Sequence, residues 1–285
     1  MRKPKPLLKL LLFIFCLVLV FCLLNKRKPS YKDAEKLDLD LFSSAYILYD
    51  VKEDKVLYCD GNRDRIFPAS LTKLMTMDVI IRDQKDLSAK SSYSLEQEVK
   101  LEEAHASVAG LVCEKEYSIE DLLYALILPS GADAADALSN LYSSGSFISR
   151  MNSRARKLGM FHSRFVNATG LHDKKHYSSL DDLLLLCRDL LKNKTAAEVL
   201  SALSYSTEDG IVISSTLSSL GGFDHVTLLG GKTGFTGEAG ENIIVYYLYE
   251  EHPYLLLLAG AQGNPYEGQT YHFDDVREIW HYLYD

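Results

Sequence analysis

Cysteine is scarce in this chain, and what there is forms no framework. Five occur in 285 residues. Cys16 and Cys22 fall inside an apolar run, which leaves Cys59, Cys113 and Cys187 for the rest. Three is an odd number, and the spacings match neither a metal site nor a disulfide scaffold, so the three read as small buried hydrophobes with room for one disulfide at most. Tryptophan occurs once and proline seven times. Internal repeats and low-complexity tracts are missing, which excludes solenoids and disordered tails. Basic charge is also in deficit. Seven of the 31 Lys and Arg lie in the first 28 residues, which contain no acid; the remainder holds 24 basic and 39 acidic residues, a net of −15. So acidic a body argues against nucleic acid as a partner. Glutamate is absent between Glu120 and Glu198.

The chain does have one long apolar run, from Leu10 to Leu24, without a charge. Arg2, Lys3, Lys5 and Lys9 precede it, and Lys26, Arg27 and Lys28 follow. The run suits a signal-peptide core and is short for a span, which takes about 20 residues; starting at Leu7 with Lys9 snorkelling makes it a marginal one. No small-x-small cleavage site follows. Residues 1–28 are therefore read as an uncleaved signal-anchor, with basic residues on both sides leaving the orientation open. Residues 29–40 are polar and read as a linker, and 41–285 as one catalytic domain.

Within that domain the patterns change twice. Residues 44–50 and 55–59 are β-rich runs around a charged turn and predict a hairpin. A helix is expected from Ser70 to about Arg82. Ser118-Ile119-Glu120-Asp121 opens an apolar helix stopped by Pro129. Further helices are expected over about 132–142, 147–158 and 180–191, the one over 147–158 closed by Gly159. Strands return at 226–229, 243–249 and 254–259, and an amphipathic helix spans about 273–284. The fold class is α+β: an antiparallel sheet of N- and C-terminal strands flanked by helices, with a helical subdomain inserted between them.

Ser70-Leu71-Thr72-Lys73 carries the chemistry. A serine and a lysine three apart on a helix share a face. If that face is buried, the ammonium is desolvated, its pKa falls, and a neutral amine can take the serine proton without any histidine. Alone the pattern is weak, since it arises about once by chance in a chain of this length and also reads as an ordinary helix start with Ser70 as cap. Two further elements follow in order: Ser130-Gly131, and Lys232-Thr233-Gly234. The trio is that of penicillin-binding proteins and class A β-lactamases.

Four segments make the resemblance specific: Pro68 to Thr76, Leu128 to Ala135, Phe165 to Leu171 with His176-Tyr177-Ser178, and Lys232 to Thr236. Together they resemble the serine D-alanyl-D-alanine carboxypeptidases of the low-molecular-mass penicillin-binding proteins. The likeness runs from about residue 40 to the C-terminus. The family's additional C-terminal β domain and amphipathic anchor find no counterpart, and the N-terminal apolar run is expected to replace the anchor.

The resemblance implies a DD-peptidase/β-lactamase-like fold and a set of roles. Ser70 is the expected nucleophile and Lys73 its base, with Ser130 relaying a proton to the leaving amine. Lys232 is expected to keep the pocket positive and attract the substrate carboxylate, and Thr233 to hydrogen-bond it. The N–H groups of Ser70 and Phe235 would form the oxyanion hole. Gly234 would let substrate lie along the strand edge. One position departs from the pattern: Ala132 stands where the family usually has an asparagine that bonds the substrate amide and orients the lysine. Such a bond is worth about 1–2 kcal/mol. Asp133 is not expected to replace it.

The implied substrate is a peptidoglycan stem peptide ending in D-Ala-D-Ala, with β-lactams as covalent inhibitors and no cofactor. The implied location is the bacterial cell membrane, with the catalytic domain outside the cytoplasm. Carboxypeptidase and endopeptidase share this centre, and a degenerate muropeptide-binding module is the remaining alternative. A class A β-lactamase is excluded, because the glutamate it needs between the second and third motifs is missing. His172 and His176 are four apart beside Asp173, but the surrounding loop argues against a metal site. Asn167 reads as a loop pin.

Overall fold

A computed structural model describes residues 29–285. The apolar run expected to act as a signal-anchor lies outside the described residues. Among those described, no helix is long and apolar enough to cross a membrane.

Five antiparallel strands form the central sheet: β1 (Ala45–Asp50), β2 (Lys55–Gly61), β3 (Val226–Thr236), β4 (Gly240–Tyr249) and β5 (His252–Ala261), in the order β2-β1-β5-β4-β3. N- and C-terminal strands thus share one sheet, as the sequence predicts. All six residues of β1 are buried because the sheet is covered on both faces. Side chains alternate between the two sides of a strand. Ile47 and Tyr49 of β1 with Leu255 and Leu257 of β5 join the core shared with the helical body. Tyr46 and Leu48 with Leu256 and Leu258 pack on the opposite face against Phe273, Val276, Ile279 and Trp280. These last four belong to the C-terminal helix Tyr271–Tyr284.

Between the strands lie seven helices: α1 (Thr72–Asp83), α2 (Leu95–Glu103), α3 (Ile119–Ile127), α4 (Ala132–Ser139), α5 (Ser146–Leu158), α6 (Leu180–Leu190) and α7 (Lys194–Ser201). The C-terminal helix is α8. Helix α1 is the hub. Every residue from Thr72 to Ile80 is buried, the pattern of a helix surrounded by protein on all sides. Asp78, on α1, is fully buried and is held by Arg82 Nε at 2.8 Å and Arg154 Nε at 2.6 Å. Both guanidiniums also bond Asp189 of α6, so one ion-pair network, buried at Asp78 and partly exposed at Arg82 and Asp189, joins α1, α5 and α6.

Several sequence expectations need amendment. Residues 29–40 are not a free linker. Val56 N–H donates to Ser30 O, Glu35 N–H to Leu57 O and Cys59 N–H to Glu35 O, each at 2.9 Å, so the segment lies parallel along the outer edge of β2. Leu37 is buried, and its N–H donates to the Tyr46 hydroxyl at 2.7 Å. The edge strand is thereby covered. Ser70 does not cap a helix. It sits in a 3₁₀ turn, Ala69–Leu71, that feeds α1. Helix α4 stops at Ser139, short of the expected 142. The three cysteines in the described residues are free.

Candidate active site

The turn that presents Ser70 is pinned from three sides. Asn242 of β4 donates to Phe67 O at 3.0 Å, fixing the approach to the turn. Strand β3 passes so close that a Cβ on Gly234 would lie 3.0 Å from Pro68 O and 3.1 Å from the nitrogens of Ser70 and Leu71. The loop 167–171 closes the third side. Gly170 adopts φ +87°, and a Cβ there would fall 2.0 Å from Ala69 O. Asn167 holds the loop's shape, donating to Leu171 O at 2.9 Å and accepting from Gly170 N–H at 2.7 Å. Thr76 ties the loop to α1 by donating to Ala168 O at 2.7 Å.

Lys73 stands on the first turn of α1, and its Nζ donates to Ser70 Oγ at 2.9 Å and to Thr169 O at 2.6 Å. It is 2% exposed. Burial pulls its pKa down from the ordinary lysine value to about 7, against the opposing pull of Asp133 and Asp136. In the neutral form the amine lone pair faces the Ser70 hydroxyl, the arrangement that removes a proton from a nucleophile.

Ser130 precedes α4 with φ +65°, and its Oγ is buried without a hydrogen-bond partner among the described residues. Ala69, next to the nucleophile, is also left-handed, at φ +47°. Non-glycine residues held there are strained, and such strain collects at functional sites. Ser70, Ser130, Thr233, Gly234 and Phe235 line one half of a continuous cleft. Ser70, Lys73, Ala132, Thr169 and Phe235 line the other half. Thr233 Oγ1 lies 2.8 Å from Thr216 Oγ1.

Lys232 departs from the expected role of a free cation in the cleft. Its side chain is buried, and Nζ donates to Thr233 O at 2.9 Å. Burial first, and Lys73 second, drive its pKa well below the ordinary value. Both causes disfavour the ammonium form of Lys232.

Ala132 is buried at the start of α4, and its N–H donates to Ser107 O at 2.8 Å. Asp133 is turned away from Ser70, as expected. Its carboxylate accepts from the N–H groups of Ala109 and Leu111, fixing the loop that forms one wall of the cleft. Burial raises its pKa, against those backbone bonds and that of Ala134.

His176 is no metal ligand here, because both ring nitrogens are engaged: Nε2 lies 2.8 Å from Thr72 Oγ1, and Nδ1 accepts from Val166 N–H at 3.4 Å. Burial lowers its pKa to about 4. The sequence reading missed the Thr169 carbonyl as a lysine partner, and Thr216 and His272 as cleft residues. The first is a backbone atom and leaves no signal in residue identity. The other two belong to no motif.

Comparison with known proteins agrees with this geometry. A family profile described as D-alanyl-D-alanine carboxypeptidase matches residues 31–255. A D-alanyl-D-alanine carboxypeptidase of Bacillus subtilis is 31% identical over 203 residues, 68% of this chain and 51% of that protein. A D-alanyl-D-alanine endopeptidase of Escherichia coli is 27% identical over 253 residues, 84% of this chain and 76% of its own. The crystal structure of a Streptomyces DD-transpeptidase superposes with a TM-score of 0.76 at 25% identity, covering 86% of this chain and 98% of that one. The chain spans about half the length of the Bacillus and Streptomyces carboxypeptidases that it matches, 51% and 55%. The profile covers most of the sequence, and the chain belongs to the D-alanyl-D-alanine carboxypeptidase family.

Proposed function

We propose that this protein is a serine D-Ala-D-Ala carboxypeptidase that removes the terminal D-alanine of peptidoglycan stem peptides through an acyl-enzyme on Ser70. The observation that carries the reading is the buried Lys73 amine, 2.9 Å from Ser70 Oγ and with its pKa drawn down to about 7. Neutral Lys73 takes the Ser70 proton as Oγ attacks the carbonyl carbon between the two D-alanines. The oxyanion forms against the N–H groups of Ser70 and Phe235. The C–N bond then breaks, and the proton passes from Lys73 through the Ser130 hydroxyl to the departing amine. Water, deprotonated by Lys73, releases the acyl group. Thr233 and Gly234 border the substrate along β3. An arriving carboxylate favours a proton on Lys232, and a charged Lys232 in turn keeps Lys73 neutral.

We place the catalytic domain outside the cytoplasm of a bacterium, tethered at the cell membrane by residues 1–28. The support is the fifteen-residue apolar run bracketed by seven basic residues.

Incubation with labelled penicillin should give one covalent adduct per chain, lost in Ser70→Ala. Incubation with a pentapeptide should release D-alanine. An intact protein that forms no adduct overturns the reading. Cleavage of cross-linked dimers alone assigns the endopeptidase instead, and acylation without turnover assigns a binding module.

A further inference from the structure

Beyond residue 28 the chain is acidic, 24 basic against 39 acidic residues, yet one face of it is basic. Three short segments build that face. Ile66 and Ser178 exchange two backbone bonds, at 2.8 and 3.0 Å, and Arg164 and Tyr177 exchange two more at 2.8 and 3.0 Å. Residues directly opposite in an antiparallel pair send their side chains to the same side, so Arg164 stands beside the Tyr177 ring. Arg65 reaches that ring as well. Its guanidinium carbon lies 4.4 Å from the ring centroid, and its Nη2 donates to Lys174 O at 3.1 Å. Lys174 and Lys175 form the turn before Tyr177, and Arg63 lies two residues before Arg65. Arg65, Arg164, Lys174 and Lys175 are exposed. The acids among these segments are Asp64, Asp173 and Asp181. Asp181 is held by the Tyr31 hydroxyl and faces Arg63, and Asp173 accepts from Lys175 N–H.

This face adjoins the point where the apolar N-terminal run joins the body. Pro29, Tyr31, Arg63, Phe161 and His162 line one hollow, and Arg63 lies over the Tyr31 ring at 5.0 Å. Phe161, on the loop after α5, is 62% exposed. An exposed aromatic ring among cations is what an amphipathic surface offers a bilayer. The docking of residues 29–40 along β2 removes any slack, since Ser30 O already accepts from Val56 N–H. Five residue steps (29 − 24) separate Leu24, the end of the apolar run, from Pro29, a covalent reach of at most about 18 Å. Lys26, Arg27 and Lys28 fall within that stretch. A body joined so closely to an apolar segment in a bilayer holds its Pro29 face within about two screening lengths of the headgroups. Acidic surface is repelled there. A face with five cations against three acids reverses the sign where the approach is forced.

We propose that this face, with Arg63, Arg65, Arg164, Lys174 and Lys175 around the Phe161 ring, docks on anionic phospholipid headgroups. The inference rests on the tether proposed above, which brings the face to the bilayer. Docking fixes the attitude of the body as well as its distance. Loop 167–171, which pins Ser70, runs directly into residues 172–177 of this face, so docking also sets where the cleft stands relative to the bilayer.

The test uses the full chain carrying Phe161→Trp, with the wild type as background, because the native Trp280 is buried in the core. The chain is mixed with vesicles of phosphatidylcholine bearing brominated acyl chains, alone or blended with phosphatidylglycerol. Flotation with the vesicles reads the tether, and quenching of the added tryptophan reads the face. Quenching should rise when phosphatidylglycerol is present and reverse at about 1 M salt, where the screening length falls to about 3 Å. It should be lost when Arg164→Glu, Lys174→Glu and Lys175→Glu are combined, with penicillin acylation unchanged. The milder pair Arg164→Gln and Lys174→Gln should lose part of the quenching, and decides the matter should the triple variant fold poorly. Quenching that is equal in both vesicles, or absent from both, overturns the inference, and flotation with both then leaves the tether standing. Flotation and quenching only with phosphatidylglycerol overturn the tether and keep the inference. A chain that floats with neither overturns both. Capture by soluble polyphosphate without quenching by lipid assigns the face to an anionic polymer and overturns the inference.

Discussion

Acylation of Ser70 should titrate with Lys73. With the amine held at about 7, about half the molecules carry it neutral at pH 7, and about one in a hundred at pH 5. The second-order rate of labelling by a fluorescent penicillin should therefore rise about fiftyfold between pH 5 and pH 7 and reach a plateau within two further units. An ordinary lysine near 10.5 would leave fewer than about one molecule in a thousand active at neutrality. Asp136 complicates the limb in a useful way. Burial lifts its own pKa to about 6, while its charge raises that of Lys73. The two titrate together, so the measured value belongs to the pair. Asp136→Asn removes the charge that favours the ammonium, so the limb should move to lower pH. A flat profile, a limb near 10, or a shift to higher pH in Asp136→Asn refutes the argument.

The same shift makes a stability claim. Between about pH 7 and pH 10.5 the unfolded chain binds a proton at Lys73 and the folded chain does not, so stability rises with pH across that window. Below it the folded protein carries the full cost of the buried charge, at most about 5 kcal/mol. Lys73→Met removes that cost but strands the Thr169 carbonyl, which offsets about 1–3 kcal/mol. The inactive variant should be more stable by about 2 kcal/mol at neutral pH, a gain that shrinks and then reverses as the pH approaches 10.5. Denaturant titrations at neutral and alkaline pH measure both signs, and a variant less stable than wild type at pH 7 refutes the claim.

Other perturbations follow from the packing around α1. Asp78→Ala removes the buried partner of two guanidiniums that keep Asp189, and should cost about 1.5–3 kcal/mol, read from the urea midpoint. Gly170→Ala forces a Cβ into Ala69 O at a left-handed φ, and should lower both the melting temperature and the acylation rate. An unaffected acylation rate would mean that loop 167–171 does not position the nucleophile.

How much of this was legible depended on whether residue identity or backbone geometry carried the information. The hairpin, the Ser118 cap and the C-terminal helix were readable because apolar period and capping chemistry agree in them. Helix α2 escaped notice although Ser94 and Gln97 form a full capping box, because Leu101 is its sole buried residue. The docking of residues 29–40 escaped because their bonds to β2 are backbone bonds, indifferent to a polar composition. In the site, Ser70 and Lys73 were paired by type and spacing, and Ser130 was named through the resemblance to a known motif trio. The left-handed Ala69 and Ser130, the Thr169 carbonyl and the burial of Lys232 were not legible, since each depends on a tertiary path.

Ala132 is where those two kinds of information meet. Two bonds go missing when alanine stands in place of asparagine, one to the lysine and one to the substrate amide. The structure supplies the first from elsewhere: Lys73 has Thr169 O at 2.6 Å, on a loop bolted to α1 by Thr76. For the second, the alanine side chain itself offers no donor or acceptor. Ala132→Asn should therefore raise kcat/KM for a pentapeptide by about five- to thirtyfold, the equivalent of about 1–2 kcal/mol, through the substrate alone. Its pH limb should stay where the wild-type limb stands, because the partners of Lys73 do not change. A limb displaced in Ala132→Asn would mean that the new amide has captured the lysine, and that the Thr169 carbonyl is a weaker partner than its distance implies.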